Sequence, residues 1–100
     1  MGRSKLDQQA DSLNRVRAEI DDIDDDLVAI LARRELLVHR AGHLKTDESA
    51  VRAPDRVEQV IEGVRRRAAA LGADADIVER VYRTMIDCNI DLELRELQAR

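Results

Sequence analysis

A chain of 100 residues holds one domain at most, since a single compact core takes about 100–200 residues. With 44% hydrophobic and 38% charged residues and a formal net charge of −4, it has material for an apolar interior and a soluble surface, which excludes a disordered or polyelectrolyte chain. Tyr82 is its one aromatic residue, so base-stacking platforms and aromatic cages are excluded, and no nucleic-acid partner is expected.

A single cysteine, Cys88, cannot close an internal disulfide. No apolar run approaches the core of a signal peptide or the ~20 residues of a membrane span. The expectation is a cytoplasmic protein with no membrane partner.

Residues 1–11 read as a flexible N-terminal tail, and 12–100 as one helical domain. Leu13, Val16, Ile20, Ile23, Leu27, Ile30, Leu37, Ala41 and Leu44 recur at spacings of three and four, which predicts one long helix over about 13–45, capped by Asp11 or Ser12. Such a helix is about 50 Å long, whereas a 100-residue domain has a radius of gyration near 13 Å. Its own chain cannot cover it, so part of its apolar stripe should meet a second copy. The segment 46–53 breaks the period and reads as a loop. Pro54 then opens a second helix over about 54–71, with Gly72 at its C-terminal cap. Asp74 or Asp76 opens a third, reaching about residue 97, with Val78, Val81, Tyr82, Met85, Ile86 and Leu92 as its stripe. The expected fold is all-α: one long and two shorter helices in an intertwined homodimeric bundle.

Several polar side chains fall where apolar ones belong. With Leu13 as heptad position a, the a and d positions through residue 44 are apolar except Arg34, and Arg17 and Lys45 flank the same face at e. Burying an arginine costs several kcal/mol unless an anion pairs with it; otherwise it snorkels or pairs with a structural Glu. Asn89 falls near the middle of the third helix's stripe, with Glu93 one turn on. Arg56 lies on the first turn of the second helix, facing either inward or solvent. What these groups lack is anions, which a small dicarboxylate would supply. Arg34 and Lys45 are about 16 Å apart along the axis and can reach toward opposite ends of a ligand of sugar-ring size. Arg17, about 25 Å from Arg34 on the same helix, can join only from the other copy.

The segments Leu13-Asn14-Arg15-Val16-Arg17-Ala18-Glu19-Ile20-Asp21-Asp22-Ile23-Asp24, Leu31-Ala32-Arg33-Arg34, Gly42-His43-Leu44-Lys45 and Asp55-Arg56 resemble the all-helical chorismate mutase family. The resemblance covers about residues 13–97 and implies a rearrangement of chorismate to prephenate in an interlocked homodimer. It implies that Arg17 contacts a carboxylate from the second subunit and that Arg34 and Arg56 contact carboxylates within their own. It further implies that Lys45 holds the ether oxygen together with a carboxylate, and that Glu93 faces the same oxygen from a position that is Gln in many bacterial members and Glu in fungal ones. No cofactor and no metal are implied, because a Claisen-type rearrangement is unimolecular and is served by positioning and electrostatic preorganisation. To donate to the ether oxygen Glu93 must carry a proton, so turnover should decline on the alkaline side and Glu93→Gln should flatten that profile.

Val57 stands where the well-known mutases have a Glu that contacts the ring hydroxyl, and Ala53 near where they have an Asp. The stretch Ala53-Pro54-Asp55-Arg56-Val57 resembles the isochorismate-pyruvate lyase branch of the same fold, which yields salicylate and pyruvate. A branch acting on 4-amino-4-deoxychorismate is a third alternative. From another class, the competitor is a catalytically silent helical dimer that acts as a scaffold or regulatory partner. His39 and His43, at i and i+4, read as solvated outer-face residues rather than metal ligands. The aspartates at 21, 22 and 24–26 lack the spacing of a calcium loop and read as a charged helix surface.

Overall fold

The computed structural model describes residues 2–100, and no strand occurs among them. The helices are α1 (Lys5–His43), α2 (Glu48–Arg52), α3 (Pro54–Leu71) and α4 (Ala75–Gln98). The all-α expectation holds, with one more short helix than the periodicity predicts. Among the described residues no helix is long and apolar enough to cross a membrane.

α1 begins at Lys5, earlier than its apolar stripe, because Ser4 Oγ accepts from the Asp7 amide at 3.1 Å and caps the first turn. Arg3 also pairs with Asp11. Residues 5–11, expected to precede the helix, are therefore helical. At its other end α1 stops at His43, so Lys45 lies just beyond the helix, in the turn closed by its own amide donating to Gly42 O at 3.1 Å.

α2 occupies what reads as a loop. Asp47 caps it, accepting from the Ala50 amide at 2.7 Å, and Val51 is buried beneath it. A single turn is too short to show a period, which is why the apolar pattern misses it. Ala53, which ends α2 and precedes Pro54, is left-handed at φ 35°, ψ 61°. The following proline disfavours the right-handed helical region at this residue. α3 has the expected bounds; Gly72 at φ 78° ends it, and Ala73 N donates to Ala68 O at 2.8 Å. Asp74 caps α4, accepting from the amides of Asp76 and Ile77.

The chain divides into two compact units, one ending at Leu36 and the other beginning at Leu37. The first is a single helical stretch with no second element of its own to pack on. Its stripe is correspondingly open: Leu13, Val16, Ile20, Ile23, Leu27 and Ile30 are all exposed.

In the second unit α4 packs on α3 and α2. Val51, Ile61, Ala68 and Ile86 form its buried apolar core. Of the expected α4 stripe Ile86 is buried and Val78, Tyr82, Met85 and Leu92 are half-buried, while Val81 is exposed. Glu93 is seven residues, two turns, beyond Ile86 on the same face, and it is buried as well.

Candidate functional site

The second unit brings together two of the predicted site residues, Lys45 and Glu93. Lys45 Nζ donates to Glu93 Oε2 at 2.9 Å, with the lysine side chain 28% exposed and the carboxylate side chain 6% exposed. Glu93 is the buried charged side chain of the described structure. A carboxylate in that position is costly unless it is paired, and Lys45 supplies the pairing.

A close approach by α1 makes room for this pair. Gly42 is buried at the end of α1, and a Cβ placed there would lie 3.1 Å from Glu93 Cγ and 3.4 Å from Cδ. Any side chain at 42 would therefore press on the carboxyl group. Arg100, beyond the end of α4, reaches back across the same joint. It donates from Nη2 to Gly42 O at 2.7 Å and from Nη1 to Lys45 O at 2.8 Å. One turn earlier on α1, His39 Nδ1 meets Glu96 Oε1 at 2.7 Å. His39 is thus a part-buried partner of α4, which corrects its assignment to a solvated outer face. His43 is exposed, and no cluster of metal-ligating side chains occurs among the described residues.

Arg56 is exposed and donates from Nη1 to Gln59 Oε1 at 2.9 Å on its own helix. Val57 is half-buried beside it, and Asn89 is half-buried one turn before Glu93. Arg17 and Arg34 belong to the first unit, where Arg17 is exposed and Arg34 is half-buried and engaged within the chain.

Gly42, Arg100 and the His39–Glu96 pair were not assigned a role from sequence. The glycine falls within the Gly42-His43-Leu44-Lys45 stretch and was open to notice. Nothing in periodicity marks Arg100, because its role depends on which helix ends meet.

A buried carboxylate beside a partly open ammonium can stabilise an oxygen at which negative charge develops. The chain matches a family described as chorismate mutase type II over residues 16–94. It is 35% identical over 82 residues to an isochorismate pyruvate lyase of Pseudomonas aeruginosa, a match that covers 82% of this chain and 81% of that one. It is 32% identical over 74 residues to T-protein of Haemophilus influenzae, covering 73% of this chain and 20% of that longer protein. With most of its length matched, and with the Lys45–Glu93 pair formed inside the matched region, the chain belongs to the chorismate mutase type II family.

Proposed function

We propose that the protein is a pericyclic enzyme that rearranges chorismate to prephenate, working as a homodimer. The observation that carries this reading is the contact of Lys45 with the buried Glu93 at 2.9 Å. A lysine held this way spends one ammonium proton on Glu93 and retains two more donors for a carboxylate and for the ether oxygen whose C–O bond breaks. Glu93 faces the same oxygen. Arg34 and Arg56 bind the substrate carboxylates, Val57 and Asn89 line its ring, and Arg17 enters from the second copy. The exposed stripe of α1 supports that dimer, because a contiguous apolar face on a helix with no cover of its own is an association surface. Positioning and charge stabilisation then accelerate a reaction that needs no bond to the protein.

Two observations favour a second reading, an isochorismate-pyruvate lyase. One is Val57 in the place of an acidic ring contact, and the other is the 35% identity to a lyase of matching length. The test is to incubate the purified protein separately with chorismate, isochorismate and 4-amino-4-deoxychorismate and to identify the products. Prephenate from chorismate is the expected result. Salicylate with pyruvate from isochorismate alone would transfer the assignment to the lyase, and conversion of none of the three would favour the silent scaffold.

A further inference from the structure

We propose that Arg100 is a positioning residue that sets Lys45 against Glu93. The last carbonyls of an α-helix have no partner within the helix. At the exit of α1 the Arg100 guanidinium donates to two backbone carbonyls, Gly42 O in the last turn at 2.7 Å and Lys45 O just beyond it at 2.8 Å. They bracket the turn in which Lys45 N donates to Gly42 O at 3.1 Å. A planar guanidinium presents its N–H groups at a fixed spacing, so bridging both carbonyls holds the turn's geometry as well as its place. Its charge also complements the negative end of the α1 dipole.

Arg100 and Glu93 are both carried by the C-terminal part of the chain, the arginine two residues past the end of α4 and the glutamate on its buried face. That stretch therefore grips the backbone of Lys45 with one residue and accepts its ammonium with another. The lysine side chain has four rotatable bonds, so fixing its backbone narrows the positions its ammonium samples and favours the contact with Glu93. Because Arg100 touches neither the ammonium nor the carboxylate of the pair, its effect passes through Gly42 and Lys45.

The consequence for turnover rests on the proposed pericyclic activity; the geometric consequence does not. The test uses Arg100→Ala and Arg100→Lys in the full chain, with amide hydrogen exchange read at Leu44 and Lys45 and steady-state kinetics in parallel. Arg100→Ala should accelerate exchange at both amides by about tenfold or more while leaving the helical content unchanged. Its kcat should fall by about tenfold to hundredfold, the scale of a displacement near 1 Å at a reacting centre. KM should change less. Added methylguanidinium should restore part of kcat in Arg100→Ala and nothing in wild type, and Arg100→Lys, whose ammonium lacks the planar fixed-spacing fork, should recover only a fraction. Unchanged exchange at Leu44 and Lys45 would overturn the proposal, as would a kcat loss that methylguanidinium fails to relieve. Wild-type protein that converts no chorismate-class substrate, but whose exchange responds as stated, would overturn the enzymatic assignment and uphold the positioning role.

Discussion

On the outer side of α3 and α4, Arg83 holds Glu58 through both Nη atoms at 2.9 and 3.0 Å and Glu79 through Nε at 2.7 Å, while Arg65 reaches Glu79 and Asp76 at 2.8 and 2.9 Å. Each charge there has more than one partner or ready access to water. Toward the other end of α4, Lys45 and Glu93 have one such contact between them, and the carboxylate is buried. The outer cluster is redundant, and exposed pairs of this kind contribute little to stability. The inner pair is sparse and costly to bury. A carboxylate at a core position two turns from Ile86 is an expensive way to gain stability, so the contrast marks the inner pair, and not the outer cluster, as the candidate for a task beyond packing.

Removing one member of the sparse pair should have the largest effect. Lys45→Ala should lower kcat by about 10²–10³-fold, the range seen when one preorganised donor is lost, with circular dichroism showing the helices retained. Glu93→Gln keeps an acceptor for Lys45 in the same place but removes the buried charge, so its kcat should fall less than that of Lys45→Ala, as steady-state kinetics will show.

Gly42→Ala tests the close approach more gently. Glu93 must yield by a few tenths of an ångström to a Cβ at 3.1 Å, so kcat should drop by roughly tenfold. Helix propensity meanwhile favours the alanine by about 0.5–1 kcal/mol, and the melting temperature should not fall in step with the rate.

At the α2–α3 joint, away from both clusters, Ala53→Gly should raise stability by about 0.5–1 kcal/mol in a denaturant titration, because glycine adopts φ 35° without the strain alanine bears.

Arg83→Ala should be mildest, and its effect should depend on pH. Hydrogen bonds from Arg83 hold the Glu58 and Glu79 carboxyls below their usual value of 4.5. A carboxyl depressed in the folded state contributes stability above its unfolded value, and that contribution disappears as pH falls through the lower folded value. The small gap in melting temperature between wild type and Arg83→Ala should therefore be full at pH 7 and close below about pH 4.5.

The sequence makes the elements with long apolar periods plain. α3 lies where Pro54, its spacing and Gly72 place it, and α4 begins at the Asp74 cap. Residues 5–11 join α1 through a serine cap and carry no apolar stripe to announce it, and the five residues of α2 are too few to show a period. At the site, Lys45 and Glu93 were legible as polar intrusions on apolar faces and through the family resemblance. Gly42, Arg100 and His39 act across helices, and one helix's periodicity says nothing about which side chain of another it will meet.

The most direct measurement is calorimetric titration of an unreactive cyclic ether dicarboxylate into wild type and Lys45→Ala. One site per chain, weakened by about tenfold to hundredfold in the variant, is the predicted result, matching the loss of one charged hydrogen bond. Equal affinity in the two proteins would contradict the assignment of Lys45 and Glu93 as the reacting centre.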